Sequence, residues 1–145
     1  MSRATEFVNR WMDAVNRGDL DELVDMCHAD AVHSNPNGTF RGPQGVRDLF
    51  KAIVDASSER AVQISNVVES DGTVVVEFVF LFRNTGPMVT PEMTVPATGK
   101  NVRLPSISIY ELRDGKVAAS RGMYDRLELI TQLGLMGTPA PSSRG

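Results

Sequence analysis

The stretch AVQISNVVESDGTVVVEFVFLFR, residues 61–83, decides the fold. It holds two runs rich in Val, Ile and Phe, which the polar tripeptide Ser70-Asp71-Gly72 separates. β-Branched and aromatic residues favour extended structure, and a short polar turn between two such runs is typical of a β-hairpin. We therefore predict a strand over residues 61–69, a tight turn, and a long strand over residues 73–83.

Two more strands are predicted C-terminal to this hairpin. Residues 100–112 and 116–124 have an extended pattern, and Asp114-Gly115 between them is a common hairpin turn. Residues 84–98 are rich in Pro, Gly and Thr and include two methionines. We predict that this segment is a long loop or irregular hairpin that lies over the mouth of a cavity. A short apolar helix is predicted to follow, over residues 127–133.

The N-terminal part has a helical period instead. The first helix has an apolar face of residues spaced three and four apart: Phe7, Val8, Trp11, Met12 and Val15. A second, short helix opens at Asp19, which with Glu22 resembles a capping box, and we expect this helix to carry Cys27 inward. A third helix begins at Gly42-Pro43. Three helices followed by long antiparallel strands predict an α+β fold, with the helices packed against one face of the sheet.

Composition and charge exclude several classes of function. The chain has 145 residues and a net charge of -3, and it lacks the basic patch that binds nucleic acid. No apolar run is long enough to span a membrane, and residues 1–6 lack the apolar core of a signal peptide. We therefore predict a cytoplasmic protein without a nucleic-acid or membrane partner. One domain is predicted over residues 1–136, with a mobile tail over residues 137–145.

No cofactor or metal is expected from the sequence. Two histidines and one cysteine give no spacing of metal ligands, and no glycine-rich phosphate loop is present to bind a nucleotide or a flavin. A covalent nucleophile is also not expected, because there is no Gly-x-Ser-x-Gly elbow and Cys27 falls in a predicted core helix. Catalysis, if present, is expected to depend on side-chain acids, bases and hydrogen-bond donors.

Several local phrases follow one another in a defined order and spacing through most of the chain. They are Asn16-Arg17-Gly18-Asp19, His28-Ala29-Asp30-Ala31-Val32-His33, Phe40-Arg41-Gly42-Pro43, Pro96-Ala97-Thr98-Gly99-Lys100, Arg113-Asp114-Gly115-Lys116-Val117, Tyr124-Asp125-Arg126-Leu127 and Gln132-Leu133-Gly134-Leu135. In these phrases the chain resembles the SnoaL-like polyketide cyclase family, within the nuclear-transport-factor-2-like superfamily. The resemblance implies a cone of curved antiparallel sheet, backed by three N-terminal helices and enclosing one pocket. It also implies a cofactor-independent enzyme that closes a ring by an intramolecular aldol reaction.

Asp125 is the leading catalytic candidate, because in the family that the chain resembles the aspartate of the matching phrase is the acid–base group. Alternate residues of a strand share a face, so we expect Arg121, Met123 and Asp125 to face the pocket together. Burial there would raise the pKa of the carboxyl group and make it a usable acid or base, and Arg121 could stabilise an enolate. The alternatives are that Asp125 only caps the helix beginning at Arg126 and that Arg121 is an exposed edge residue.

His33 and Asn35 are predicted to share a face just before the turn Pro36-Asn37-Gly38. An imidazole can relay a proton or donate a hydrogen bond to a carbonyl oxygen, which makes His33 a second catalytic candidate. The amide of Asn35 could fix a ligand. The alternative for both residues is turn chemistry, since Asn before Pro commonly opens a turn.

Ser108 lies in a strand where hydroxyl-bearing residues alternate with Ile107 and Ile109. A row of hydroxyls facing a cavity could bind a carbonyl or a phenol, whereas in a half-exposed strand the same row would face water. Trp11 could help to shape a flat apolar slot for an aromatic ligand, although core packing also explains it. Ser108 and Trp11 therefore join Asn35, Arg121 and Met123 as candidate substrate-binding residues.

The sequence favours a cyclase acting on an apolar, carbonyl-rich, polyketide-like metabolite. Hydration or epoxide hydrolysis, isomerisation, cofactor-free hydroxylation and a non-catalytic binding module stay open. Limonene epoxide hydrolase resembles the chain at His33, Asn35 and Asp125, but its central-strand Arg and Asp fall on Phe78 and Phe80, which cannot activate water. A sheet face left uncovered by the helices would expose apolar side chains, which predicts a homodimer or a higher homo-oligomer.

Overall fold

The computed structural model describes residues 2–136; Met1 and the predicted mobile tail, residues 137–145, lie outside the described residues. The helices are α1 (Arg3–Arg17), α2 (Leu20–Asp25), α3 (Gly42–Ala56) and α4 (Arg126–Gln132). The strands are β1 (Cys27–Asn35), β2 (Gly38–Arg41), β3 (Ser58–Ser70), β4 (Thr73–Arg83), β5 (Met88–Val89), β6 (Thr94–Val95), β7 (Asn101–Arg113) and β8 (Lys116–Tyr124). None of the described helices is both long enough and apolar enough to cross a membrane.

Local chemistry explains the ends of the first two helices. Ser2 caps α1 by accepting a hydrogen bond from the backbone N–H of Thr5, and Gly18 ends it in the left-handed conformation, with φ of 69°. Asp19 caps α2 in the same way, as its position before Glu22 predicts. The predicted second helix is nevertheless too long, because Cys27 is the first residue of β1. The backbone N–H of Val117 in β8 donates to Met26 O, and this tertiary pairing draws the chain into the sheet.

The six-stranded sheet has the order β2-β1-β8-β7-β4-β3. Every neighbouring pair is antiparallel except β1 and β8, which run parallel. The sheet is therefore mixed, whereas the sequence predicts a wholly antiparallel one. Helix α1 packs against β3, and α3 packs against β1 and β2. The α+β fold with helices on one sheet face is confirmed. The short hairpin of β5 and β6 forms a separate two-stranded sheet.

Buried apolar side chains form two clusters. The larger lies between the N-terminal helices and the sheet, and it includes the whole predicted face of α1. The smaller lies under α4 and contains Phe82, Val102, Leu104, Leu129 and Leu133. Members of both clusters line the same cavity, which therefore occupies the space between them.

Candidate active site

One cavity of about 480 Å³ lies between the helices, the sheet and the β5–β6 hairpin. Most of its wall is apolar, with side chains of the first and third helices, of the sheet and of α4: Trp11, Met12, Val15, Leu49, Phe50, Ile53, Phe78, Phe80, Phe82, Leu104 and Leu129. None of the described residues that line it carries a charged side chain. A ligand of several fused rings fits this volume range, and the wall favours one without formal charge.

Hydroxyl groups follow one wall of the cavity. Ser106, Ser108 and Tyr110 of β7 all line it, as the predicted polar row requires. Ser120 and Gly122 of the neighbouring β8 line it too. Tyr110 pairs with Ser120 across the two strands, and Ser108 pairs with Gly122. A methyl group placed on Gly122 would lie 3.6 Å from Oγ of Ser108, so this glycine leaves open space beside the hydroxyls.

His33 lies behind this wall and does not line the cavity itself. It is 1% exposed, and its Nδ1 atom lies 2.6 Å from Oγ of Ser120. On the other side, Nε2 lies 3.7 Å from Sγ of Cys27. Burial without a charged partner lowers the pKa of His33 to about 4, so the ring is neutral at neutral pH. Burial likewise raises the pKa of the Cys27 thiol to about 12, which leaves it protonated.

Tyr110 is fully buried within a cluster of rings around Trp11. Phe7, Phe50 and Tyr110 each contact the indole of Trp11, and the imidazole of His33 stacks against it with ring centroids 6.5 Å apart. Burial raises the pKa of Tyr110, and side-chain hydrogen bonds with Ser108 and Trp11 oppose part of that increase. Trp11 therefore lines the cavity and also packs in the core, and its contact with a ligand stays a prediction.

Asn35 lines the cavity close to Gly122. Its Oδ1 atom also accepts a hydrogen bond of 2.8 Å from the backbone N–H of Asn37, which is the turn chemistry offered as its alternative. Because Oδ1 is engaged in the turn, the amide NH₂ is the group left to meet a ligand.

The predicted orientation of β8 is wrong. Arg121 is exposed on the outer face of the sheet, where it forms an ion pair of 3.0 Å with Glu111. Met123 touches the cavity but is 62% exposed. Ser120 and Gly122 face inward instead, since the register pairs them with Tyr110 and Ser108.

Asp125 does not line the cavity either. Its side chain is exposed, and Oδ1 accepts a hydrogen bond of 3.0 Å from the backbone N–H of Glu128, which makes Asp125 the N-cap of α4. The burial on which the predicted acid–base role relies is therefore absent. Tyr124 immediately before it and Leu129 after it do line the cavity, so Asp125 stands near the rim.

Sequence reasoning missed Ser120 and the hydrogen-bonding role of Tyr110. The signal was present in the alternation of Ser120, Gly122 and Tyr124, which repeats the polar row of β7 once the two strands are paired. Because Met123 is apolar, the sequence pattern placed its side of β8 toward the cavity, which is the wrong face.

Arg126 joins three segments at the cavity mouth. Its Nη1 atom donates to both carboxylate oxygens of Glu92, at 2.9 and 3.0 Å. Its Nη2 atom donates to Pro36 O at 3.1 Å and also contacts Oδ1 of Asn37. Met88, Val89, Thr90 and Pro91 of the β5–β6 hairpin line the cavity. Arg126 thus holds this hairpin and the β1–β2 turn against the start of α4.

Within residues 2–136, no group of three His, Cys, Asp or Glu side chains is placed to hold a metal ion. The fold and the site together define a class of protein: an α+β cone that encloses an uncharged cavity with hydroxyls along one wall. The chain belongs to the SnoaL-like domain family, whose model matches residues 8–120.

The chain is also similar to individual proteins of known name or structure. The chain is 28% identical over 151 residues to the aklanonic acid methyl ester cyclase DnrD of Streptomyces peucetius, a match that spans 100% of this chain and 98% of that protein. It is similar in structure to TsrD of Streptomyces laurentii, with a TM-score of 0.80, 25% identity, and coverage of 92% of this chain and 96% of that one. A protein from Jannaschia sp. CCS1, assigned to the SnoaL-like polyketide cyclases, shares the fold with a TM-score of 0.81 at 21% identity, covering 93% and 94%.

Proposed function

We propose that this protein is a cofactor-independent cyclase that closes a ring by an intramolecular aldol reaction on an uncharged, carbonyl-rich, polyketide-like metabolite. The uncharged cavity of about 480 Å³, with a row of hydroxyls along the wall formed by β7 and β8, carries the proposal. Such a cavity suits a flat molecule with one oxygenated edge and one hydrocarbon edge. The similarity to a cyclase whose substrate is named as a methyl ester supports it further.

The reaction needs few catalytic groups. A base removes a proton from a carbon atom between two carbonyl groups, and the resulting carbanion attacks a third carbonyl of the same molecule. The new C–C bond leaves an alkoxide that takes up a proton, so no atom is gained or lost. Holding the substrate folded supplies much of the rate, because a well-placed intramolecular reaction gains roughly 7–11 kcal/mol. The aromatic walls formed by Phe50, Phe78 and Phe80 suit this role.

Asp125 is the base in this proposal, on the strength of the resemblance at its phrase and of its position at the cavity rim. To act, its carboxylate would leave the backbone N–H of Glu128 and turn toward the cavity mouth. The hydroxyls of Ser108 and Ser120 and the amide of Asn35 would hold the substrate oxygens while the proton moves.

The proposal is tested by incubating the full chain with aklanonic acid methyl ester and following the product by mass spectrometry. We expect a cyclised product of unchanged mass. A product heavier by one oxygen atom indicates hydroxylation, and one heavier by a water molecule indicates hydration; either contradicts the aldol reaction. Binding without conversion favours a non-catalytic module. Epoxide hydrolysis has the least support, because Phe78 and Phe80 line the cavity where a hydrolase of that type needs charged groups.

A further inference from the structure

The hydroxyl-bearing wall of the cavity has a second layer of buried hydrogen-bonding groups behind it. Ser120 is backed by His33, and His33 is backed by Cys27. Ser108 and Trp11 both interact with the hydroxyl group of Tyr110, which itself lines the cavity. Ser108 and Ser120 are diagonal neighbours on paired strands, because Ser108 pairs with Gly122 and Tyr110 pairs with Ser120.

We infer that Ser120 and Ser108 form a two-hydroxyl site that donates hydrogen bonds to the carbonyl oxygens of the substrate, and that His33 is the positioning residue that orients Ser120. This inference deepens the proposed function and rests on it for the catalytic role. A carbanion between two carbonyl groups spreads its charge over both oxygen atoms. Two neighbouring donors match that charge, and donors fixed in advance stabilise it in the transition state.

The protonation of the buried groups explains how Ser120 becomes a donor. Cys27 is a thiol and His33 is neutral, so the chain of three groups carries no charge. When the thiol donates to Nε2, the imidazole hydrogen is on Nδ1 and points at Oγ of Ser120. The hydroxyl hydrogen of Ser120 is then free to point into the cavity. A carbonyl ligand has only lone pairs to offer, and it therefore favours this arrangement over the reverse one.

Ser106 provides a matched control within the same strand. It also lines the cavity, but its Oγ atom donates to the backbone carbonyl of Leu104 at 3.1 Å. Its hydrogen is already used, so it should contribute little to binding a carbonyl oxygen. The pair Ser120→Ala and Ser106→Ala therefore removes one hydroxyl from the same cavity in each case, and only the first removes a free donor.

The catalytic test compares turnover of aklanonic acid methyl ester by Ser120→Ala, His33→Leu, His33→Asn and the double variant of Ser120→Ala with His33→Leu. We expect Ser120→Ala to lower kcat about 100-fold with little change in KM, as for loss of one oxyanion donor. His33→Leu should lower kcat equally, and the double variant no further, because His33 acts through Ser120. His33→Asn should restore most of the rate, since the asparagine amide places a donor near the position of Nδ1.

Two outcomes overturn the inference: a kcat for Ser120→Ala within threefold of the unmodified chain, or losses that multiply in the double variant. Multiplying losses would show that His33 acts independently, as a residue needed only for packing would. Circular dichroism and the melting temperature of each variant separate a lost fold from a lost donor, and His33→Asn keeps the test usable if His33→Leu does not fold.

A binding test does not depend on turnover, so it distinguishes failure of the two-hydroxyl site from failure of the proposed cyclase function. Trp11 is the single tryptophan and lines the cavity, so its fluorescence reports occupancy. Titration with 1,8-dihydroxyanthraquinone, an uncharged probe with adjacent carbonyl and phenol oxygens, should show binding weakened about tenfold in Ser120→Ala and unchanged in Ser106→Ala. Equal binding by both variants, or no binding by the unmodified chain, contradicts the two-hydroxyl site even if the ester is never turned over.

Discussion

His33 is a buried neutral imidazole, and its ionisation is therefore coupled to folding. In the unfolded chain its pKa is near 6.5, whereas burial lowers it to about 4 in the folded chain. Below pH 6.5 the unfolded state binds more protons, so stability is complete above that pH and falls as the pH decreases toward 4. Cys27 and Ser120 contact the ring, and neither supplies a compensating charge.

We expect the free energy of unfolding to fall by about 2 kcal/mol between pH 7.5 and pH 5, at 1.36 kcal/mol for each pKa unit. Urea denaturation at the two pH values measures this change. In His33→Asn, which cannot titrate in this range, most of the dependence should disappear. An equal decrease in the variant would show that other groups cause it.

Variants of Asp125 test whether this residue is the catalytic base. Asparagine caps helices about as well as aspartate, so Asp125→Asn should keep α4 and the melting temperature while lowering kcat on the ester by at least about 100-fold. Asp125→Ala should also lose about 1 kcal/mol of stability, because it removes the cap. Full activity in Asp125→Asn would leave Asp125 with only its capping role.

At the scale of elements, the ion pair of Glu92 and Arg126 joins the β5–β6 hairpin to the start of α4, and this pair is partly open to solvent. The side chain of Arg126 is 24% exposed and that of Glu92 is 58% exposed. Pairs of this kind contribute up to about 1 kcal/mol, which is enough to change the rate at which a lid opens.

Glu92→Gln should therefore speed dissociation of 1,8-dihydroxyanthraquinone up to about fivefold in stopped-flow measurements of Trp11 fluorescence. Arg126→Met should speed it more, since it also frees the β1–β2 turn. Arg113→Met is the matched control, because Arg113 forms an exposed ion pair of 3.1 Å with Asp30 and contributes nothing to the hairpin. A similar change in that control would mean that the rate does not depend on the hairpin.

The strands show what the sequence could and could not predict. Helical and extended periods placed α1, α3 and the long strands correctly, because ordinary burial produced them. The face of β8 could not be predicted in this way, since the usual pattern is inverted there. Small polar residues such as Ser120 face the cavity, whereas the apolar Met123 is mostly exposed and only touches it. Pairing with Ile107 on β7 explains why Met123 is outside, but that register follows only from the assembled sheet.

The parallel pairing of β1 and β8 also could not be predicted from the local sequence pattern. Cys27 falls in a helix predicted from the sequence, and only contact with the last strand makes it part of the sheet. His33 and Asn35 were correctly predicted to share a face, yet their partners Ser120 and Gly122 lie almost ninety residues away. Candidate residues could thus be named from the sequence, whereas the hydrogen bonds that orient them could not.

At the scale of the whole molecule, the outer sheet face has exposed apolar side chains. Val68 is 51% exposed, Ile107 46% and Met123 62%. Ile107 and Met123 pair directly across β7 and β8, so they form a continuous patch. An apolar patch of this kind on a sheet is usually covered by a partner, and a second copy of the chain is the occupant that we propose.

Sedimentation equilibrium should therefore show a dimer or higher oligomer, and Ile107→Lys should shift it to the monomer by placing charge within the patch. Leu127→Lys is the control, because Leu127 is 58% exposed but lies on α4 and not in a strand. A monomer at high concentration of the unmodified chain contradicts the prediction, as does an equal effect of both substitutions.

The central place of β8 has a consequence for biosynthesis. The ribosome synthesises the chain from its N-terminus, so β1 and β7 are made before β8. Each of these two strands has an unpaired edge until β8 pairs between them. Strands β1 and β8 are far apart in the sequence, so their pairing is slow on the folding time scale. Unpaired strand edges promote aggregation until that pairing occurs. The cavity wall is completed only when Ser120 arrives, so the nascent protein gains its pocket in one late event.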